Sequence, residues 1–269
     1  MTRRRRATGD RPPWALVPLA AIAVAFVVVP FVALLQRTPW SALPELLRQP
    51  VVKDALRLSL TSAFTATGLS LLFGVPLAWV LARTAFPGRA VLRGLVVLPM
   101  VLPPVVGGAS LLFAFGRFGL VGGPLYDATG ILLPFSFSGV VAANTFVAMP
   151  FLIVTVEAGL RSADRRYEEA AATLGAGRWT VFRRITVPMA APSIIAGAVL
   201  CWARALGEFG ATVTFAGNLQ GRTQTMPLAI FLDLESGGTG REAAIALSLI
   251  LVAVSLAVLV PLRDRWLAA

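Results

Sequence analysis

Apolar residues in this chain form six long runs that are separated by short polar or charged segments. A helix needs about 20 apolar residues to cross the ~30 Å hydrocarbon core of a bilayer. The windows that meet this condition are residues 14–35, 58–82, 91–115, 139–160, 187–206 and 243–262. The pattern therefore predicts an all-α polytopic membrane protein with six transmembrane helices, built as a single domain over residues 1–269.

Prolines interrupt two of these runs. Pro99, Pro103 and Pro104 fall in the third run, and Pro150 falls in the fourth. Because proline lacks a backbone N–H and clashes with the preceding turn, we expect it to bend or break both helices. Broken helices are tolerated in a membrane where the backbone lines a cavity, so this feature fits a transport path.

The first run has an alternative interpretation as a cleavable signal peptide. Arg3–Arg6 supply a basic start, and Ala21-Ile22-Ala23 resembles a small-residue cleavage site. An apolar signal region normally has about 7–15 residues, whereas this run stays apolar as far as Leu35. We interpret it as a retained helix.

Composition supports a membrane environment. Hydrophobic residues make up 57% of the 269 positions and charged residues 14%, against about 45–50% and about 25% in soluble domains. The net charge of +11 arises from arginines grouped between the apolar runs. Such grouping is typical of membrane topology signals, so nucleic-acid binding is the weaker hypothesis.

The distribution of basic residues also predicts the orientation. If the N-terminus is inside, sixteen of the 24 basic residues lie in inner segments and seven in outer segments. Cytoplasmic segments are enriched in arginine and lysine. We therefore expect both termini in the cytoplasm and the segment 161–186 on the inner side.

Several classes of chemistry are excluded by residue counts. The chain has no histidine, one cysteine (Cys201) and one lysine (Lys53), which leaves no Cys/His metal site and no catalytic triad. A phosphate-binding P-loop is also absent, since it needs Gly-Lys-Ser/Thr. An ion-coupled secondary transporter remains an alternative, although only Glu157 and Glu208 offer carboxylates within the runs. An intramembrane enzyme is disfavoured, because Cys201 has no general base nearby.

The inner segment 161–186 contains a short amphipathic helix. Its apolar positions follow helical spacing at Tyr167, Ala170, Ala171 and Leu174, and its charged side chains, at Arg165, Arg166, Glu168 and Glu169, point elsewhere. Ser162 or Asp164 can cap its start, and Gly175 can end it in the left-handed conformation.

A second amphipathic piece follows this helix. Trp179, Phe182 and Ile185 share one side, and Pro188 opens the fifth run. The two pieces together predict a helix-turn-helix knob. Two interpretations stay open from the pattern alone: a helix pair resting on lipid headgroups, or a docking element whose small alanines permit close approach and whose mixed charges give directional pairing.

The spacing in this knob resembles the EAA loop of ABC importer permeases. Glu169-Ala170-Ala171 is followed after three residues by Gly175, and after nine more by Ile185-Thr186-Val187-Pro188, where Val187 replaces the usual leucine. The resemblance implies a type I ABC importer permease fold and a coupling helix seated in a cytoplasmic ATPase subunit, which binds the ATP and Mg. The residues to which it assigns coupling are Glu168, Glu169, Ala170, Ala171, Leu174, Gly175, Ile185 and Pro188.

A narrower resemblance covers the end of the fifth run and the segment after it. Arg204-Ala-Leu-Gly-Glu-Phe-Gly210 and Gly221-Arg-Thr-Gln-Thr-Met-Pro227 look like the molybdate permeases of the molybdate/sulfate transporter family. This implies import of an oxyanion, molybdate first, with sulfate, thiosulfate or tungstate as alternatives. It also implies a homodimer that works with two ATPase subunits and an extracytoplasmic oxyanion-binding protein, and that binds no cofactor itself.

Polar residues within the runs are candidates for the translocation path. Arg204 and Glu208 stand four residues apart and can pair on one helix face, either to lock the helix or to act as a gate. Glu157 is expected to snorkel to the membrane interface or to pair with an inner arginine. Neutral donors that could line the path, or simply join helices, are Ser110, Asn144, Thr212, Thr214 and Asn218.

Overall fold

The computed structural model describes Trp14, residues 16–236 and residues 240–267, with backbone alone for residues 259–267. Within these ranges all regular structure is helical. The helices before the knob are α1 (Leu16–Arg37), α2 (Leu43–Leu46), α3 (Pro50–Arg83), α4 (Arg89–Val101), α5 (Pro104–Phe115), α6 (Gly122–Thr129) and α7 (Phe137–Ser162). The remaining helices are α8 (Arg166–Thr173), α9 (Arg178–Val181), a π-helical turn (Phe182–Thr186), α10 (Val187–Leu206), α11 (Gly210–Phe215), α12 (Met226–Ser236) and α13 (Gly240–Leu267).

Five continuous helices in the described ranges are long and apolar enough to cross a membrane. They are α1, α3, α7, the helix Arg178–Leu206 that contains α10, and the part of α13 up to Val258. The helices α4 and α5 qualify together as a sixth crossing, although they meet at 119°. The predicted all-α membrane fold is thus confirmed.

The bend between α4 and α5 lies at Leu102 and Pro103. Both residues adopt extended backbone, with ψ of 140° and 133°, because a residue that precedes proline avoids the helical region. Two successive prolines therefore break the helix where the sequence predicted a break. By contrast, α4 continues through Pro99 and α7 continues through Pro150, so no break occurs there.

The core of the bundle forms around α7. Ala148, Leu152 and Ile153 of α7 pack with buried residues of α3 and α10, and Ala143 and Val147 pack with α5 and α11. Burying a tightly packed apolar layer gains dispersion contacts, which drive helix association within lipid.

Small residues let α5 and α11 approach closely. A Cβ atom at Gly108 would lie 2.7 Å from the Cβ atom of Thr214 and 2.8 Å from the carbonyl oxygen of Ala211. Any larger side chain at this position would push the two helices apart. Close contact of this kind is typical of small-residue helix interfaces in membranes.

A third contact region joins α3, α12 and α13. Val52 and Ala55 of α3 pack against Met226 and Leu247, and the Met226 N–H donates a 2.8 Å hydrogen bond to Ser59 Oγ. In α1, by contrast, no residue is buried. The basic residues Arg3–Arg6 and Arg11, which support the predicted orientation, lie outside the described residues.

Candidate functional site

The knob begins with α8, whose two ends are set by local sequence. Asp164 Oδ1 accepts a 3.0 Å hydrogen bond from the Arg166 N–H, which satisfies one of the free donors at a helix start. After Thr173 the chain turns at Gly175, whose φ is +84°. The Gly175 and Ala176 N–H groups then bond to the Ala172 and Ala171 carbonyls, as in a helix stop that needs a left-handed residue. The predicted roles of Asp164 and Gly175 in bounding the helix agree with this geometry.

One side of α8 is exposed in the described chain. None of its residues is buried, and Tyr167 and Leu174 are 63% and 88% exposed. Glu169 and Ala170 are exposed as well. The apolar stripe that the sequence predicted therefore presents uncovered surface rather than packing against its own chain.

Glu168 points in the opposite direction, toward the bundle. Its Oε1 atom lies 3.1 Å from Arg83 Nη2 and accepts a 2.9 Å hydrogen bond from Thr186 Oγ1. The Arg83 and Glu168 side chains are only 5% and 16% exposed. Sequence analysis placed Glu168 away from the apolar stripe, which agrees with this geometry, but it did not identify the two side chains that hold the carboxylate. The helical spacing within 161–186 could not identify Arg83, which lies 85 positions earlier, as a partner.

The second half of the knob continues directly into the fifth long helix. Trp179 stacks on Phe182 at 5.5 Å, and Phe182 meets the edge of Trp79 at 5.8 Å. The sequence placed the helix start at Pro188, but the helix is continuous from Arg178 to Leu206. A π-helical turn over Phe182–Thr186 precedes this proline. Such a turn accommodates a residue that cannot complete the regular hydrogen-bond ladder.

The buried Glu157 forms a second charge cluster, with two arginines that are more exposed, at the same end of the bundle. Its carboxylate accepts hydrogen bonds from Arg93, the Nε contact being 3.1 Å, and lies 3.0 Å from Arg161 Nη2. The predicted pairing of Glu157 with arginine is thus present in the structure, and the assignment of this end to the inner side stays a prediction. The contact joins the start of α4 to the end of α7.

Arg204 and Glu208 form the pair that their spacing predicted, but not on one helix. The helix α10 ends at Leu206, and Glu208 lies in the link before α11. Arg204 Nη1 lies 2.6 Å from Glu208 Oε2, while Glu208 Oε1 accepts a 2.7 Å hydrogen bond from the Ala211 N–H. Glu208 therefore caps the start of α11 and holds Arg204 at the same time. Its side chain is 1% exposed.

A neutral polar network lies in the bundle interior. Asn144 Nδ2 donates to Ser62 Oγ at 3.2 Å, and Asn144 Oδ1 accepts from Thr212 Oγ1 at 3.5 Å. All three residues are buried. The network links α3, α7 and α11, and Ser62 is a member that sequence analysis missed because it stands 82 positions before Asn144.

Other predicted path residues do not join this network. Ser110 and Thr214 donate to carbonyls one turn back in their own helices, at 2.9 and 2.8 Å. Asn218 is half-buried, and its Oδ1 atom has no hydrogen-bond partner in the part of the chain that the structure describes. The structure thus brings together Asn144 with Thr212 and Arg204 with Glu208, and leaves Asn218 apart from them.

Acidic, thiol and imidazole groups do not gather into a metal-binding set. Over residues 16–236 and 240–258, no three such side chains lie close enough to hold an ion. Cys201 is buried and free. Glu157, Glu168 and Glu208 are each engaged in an ion pair with arginine.

Comparison with known proteins places this architecture in a family. A sequence model described as "Binding-protein-dependent transport system inner membrane component" matches residues 74–268. The chain is 48% identical over 258 residues to the molybdenum transport system permease protein ModB of Mycobacterium bovis, and the match covers 95% of each protein. It is 36% identical over 244 residues to the sulfate transport system permease protein CysT of Escherichia coli, covering 91% of this chain and 84% of that protein.

A solved structure shares the fold. A chain in the crystal structure of a bacterial alginate ABC transporter, in complex with an alginate pentasaccharide-bound periplasmic protein, superposes with a TM-score of 0.71. The match covers 91% of this chain and 90% of that one at 22% identity, which is evidence for the fold alone. The resemblance to ABC importer permeases, and the type I permease fold that it implied, are confirmed. The chain therefore belongs to the binding-protein-dependent transport system inner membrane components, the multi-pass permease subunits of ABC importers, for which a separate subunit hydrolyses ATP.

Proposed function

We propose that this chain is the permease of a molybdate importer. It works as a homodimer with two cytoplasmic ATPase subunits and an extracytoplasmic oxyanion-binding protein. The observation that carries the choice of molybdate is the higher identity, over a larger share of both chains, to the molybdenum permease than to the sulfate permease. Sulfate, thiosulfate or tungstate import by the same architecture is the alternative.

The proposed orientation places both termini and the knob in the cytoplasm. The contacts Arg83–Glu168 and Arg93–Glu157 bring the ends of α3, α4, α7 and the knob together at one end of the bundle. These segments also carry the clustered arginines that favour the cytoplasmic side. The position of these segments at one end of the bundle and their excess of arginine both support a cytoplasmic location for that end.

The uncovered side of α8 is the proposed docking surface for the ATPase. Glu169 offers a charged contact there, Ala170 permits close approach, and the exposed Leu174 offers an apolar anchor. Together with the exposed Tyr167, Leu174 gives α8 and its end an apolar stripe, and contiguous exposed apolar surface commonly marks an interaction site. ATP and Mg bind to the ATPase partner in this proposal, and the chain itself holds no cofactor.

Movement of α8 would be transmitted by its inward side. Glu168 ties α8 to Arg83 at the end of α3 and to Thr186 in the turn that opens α10. Both long helices pack on α7. A displacement of α8 when the two ATPase subunits close therefore moves two core helices together, which is a means of alternating access.

We assign Arg204, Glu208, Thr212, Asn144 and Asn218 to the translocation path or its gate. In the present conformation Arg204 is held by Glu208 and Asn144 is held by Thr212. A dianion that reached Arg204 would have to compete with Glu208 for the guanidinium. Such a held charge favours a gate over a tight binding site.

The surface of the first helix is the place where we propose to test dimer formation. The helix α1 buries none of its residues and contacts mainly α13, although it is highly apolar. Lipid or a second copy of the chain must cover this surface. Cross-linking of the chain in membranes tests the choice: a covalent dimer that persists on dilution with excess lipid supports the homodimer, and monomers alone contradict it.

Transport assays with the complete system test the function. The chain is reconstituted in liposomes with its ATPase subunit and binding protein, and uptake of labelled molybdate is measured with and without ATP. We expect ATP-dependent uptake that tungstate reduces more strongly than sulfate. Uptake without ATP would favour a secondary transporter, and a preference for sulfate would overturn the choice of molybdate.

A further inference from the structure

A basic pocket and an apolar groove lie side by side where α3 meets the second half of the knob. The pocket has a volume of about 450 Å³ and the groove about 520 Å³. Trp79, Arg178 and Phe182 line both. The two cavities therefore form one continuous surface with a charged part and an apolar part.

The pocket carries an excess of positive charge. Arg83, Arg165 and Arg178 line it, and Glu168 is the only acidic residue among its lining side chains. The side chain of Arg83 is 5% exposed. Its Nη2 atom pairs with Glu168, but its Nε atom has no hydrogen-bond partner in the described part of the chain. A buried guanidinium donor without a partner is costly, and an anion in the pocket would satisfy it.

The groove has the character of a membrane interface. Its wall consists of Pro76, Trp79, Val80, Trp179 and Phe182 in addition to Arg178. Trp179 remains 71% exposed although it stacks on Phe182. Tryptophans at the end of a long apolar helix are typical of the headgroup level of a bilayer, where one side of the ring faces acyl chains.

We propose that this surface binds one anionic phospholipid of the cytoplasmic leaflet. The phosphate would lie in the pocket near Arg83 and Arg178, and an acyl chain would cover Trp79 and Phe182 in the groove. Charge complementarity and the continuity of the two cavities select this occupant. A free anion leaves the aromatic groove bare, and a lipid without net charge leaves the excess positive charge of the pocket uncompensated.

The inference rests on the proposed function, because it requires this end of the bundle to face the cytoplasmic leaflet. It adds a regulatory consequence. The lipid would touch Arg83, which holds Glu168 of α8, and Phe182, which lies in the turn before α10. Membrane composition would then influence the same contact through which α8 moves the bundle.

Native mass spectrometry of the full chain in detergent provides the test. Phosphatidylglycerol and phosphatidylcholine with identical acyl chains are titrated separately, and the lipid bound per chain is counted. We expect tighter binding of phosphatidylglycerol, and a loss of about fivefold in that affinity for Arg178→Gln, the effect of one arginine on an anionic headgroup. Arg184→Gln is the matched control, because Arg184 is exposed on the same segment but lines neither cavity.

Three results would overturn the proposal. The first is equal binding of both lipids by the unaltered chain, and the second is an equal loss in the two variants. The third is displacement of phosphatidylglycerol by the docked ATPase subunit or by millimolar inorganic phosphate, which would make the pocket part of the ATPase interface or a free-anion site. The proposed orientation fails by a different measurement, accessibility labelling of α8, so the two failures are distinguishable.

Discussion

Arg83 and Glu168 are separated by 85 positions in sequence and joined by a 3.1 Å ion pair between Nη2 and Oε1. The pair fixes the inner side of α8 to the last residue of α3. It leaves Glu169, the next residue along the chain, exposed, because consecutive residues of a helix point about 100° apart. Two adjacent glutamates therefore serve different purposes: Glu168 attaches the knob to the bundle, and Glu169 faces outward.

Exchange of Glu168 for glutamine separates these roles. Glu168→Gln removes the charge opposite the buried Arg83 guanidinium, so we expect a loss of stability of about 2 kcal/mol. Thermal unfolding of the purified chain measures it as a lower midpoint. We also expect weaker coupling between ATP hydrolysis and transport, so that the assembled transporter still hydrolyses ATP while molybdate uptake falls.

The matched control is Glu169→Gln, which removes an equal charge from the outer side of the same helix. We expect an unchanged unfolding midpoint and weaker binding of the ATPase subunit. Equal midpoints for the two variants would contradict the inward assignment of Glu168.

Gly175 is predicted to be sensitive to substitution for a conformational reason. Its φ of +84° is a left-handed value, which costs a β-branched residue about 1–2 kcal/mol. Gly175→Val should therefore misplace the end of α8 and abolish capture of the ATPase subunit in a pull-down. Gly177→Val is the control, since Gly177 is extended with φ of −64° and open space around its Cβ position. Normal capture by Gly175→Val would show that α8 does not form the docking surface.

The limits of sequence-based prediction follow from the distance between partners. Asp164 and Gly175 could be assigned because a helix cap and a helix stop depend on residues within one turn. Arg83, the partner of Glu168, and Ser62, the partner of Asn144, lie 85 and 82 positions away, and no local pattern carries that information.

The interpretation of Glu208 was right about its partner and wrong about its place. A spacing of four residues predicted an ion pair with Arg204 on one helix face, and the ion pair does form. The helix nevertheless stops at Leu206, and the glutamate accepts a hydrogen bond from the Ala211 N–H of the next helix. Prolines were informative as a pair at Pro103 and Pro104, where two residues in succession are forced into extended backbone.

Orientation can be measured with single cysteines. Cys201 is the only cysteine, so Cys201→Ala gives a cysteine-free background. Phe118 and Leu174 are 97% and 88% exposed on opposite sides of the proposed membrane. An impermeant maleimide should label Phe118→Cys in intact cells and Leu174→Cys only after the membrane is opened. Labelling of Leu174→Cys in intact cells would invert the topology and place α8 outside.

The buried network around Asn144 should contribute to helix packing. Asn144→Leu removes the hydrogen bonds that Asn144 makes with the hydroxyls of Ser62 and Thr212. Interhelical hydrogen bonds of this kind in membranes are worth about 1 kcal/mol. We expect a lower thermal midpoint than for Ser110→Ala, whose hydroxyl bonds within its own helix. A midpoint that matches this control would indicate that the network does not stabilise the fold.

The two functions of Glu208 can be resolved by a pair of substitutions. Glu208→Gln keeps a carbonyl oxygen that can accept from the Ala211 N–H but removes the charge opposite Arg204. Glu208→Ala removes both contacts. Since the lost helix cap costs about 1 kcal/mol by itself, we expect the alanine variant to unfold at a lower temperature than the glutamine variant.

ATP hydrolysis by the reconstituted transporter distinguishes a gating role of the Arg204–Glu208 pair from a purely structural one. If the ion pair holds a gate closed, Glu208→Gln frees Arg204 and should raise ATP hydrolysis by the reconstituted transporter in the absence of the binding protein. The double variant Arg204→Gln/Glu208→Gln, which restores neutrality, is measured in parallel to isolate the contribution of the freed guanidinium. The gate is contradicted if both variants hydrolyse ATP at the basal rate of the unaltered protein and only their unfolding midpoint is lower. The ion pair would then serve only to hold α10 against α11.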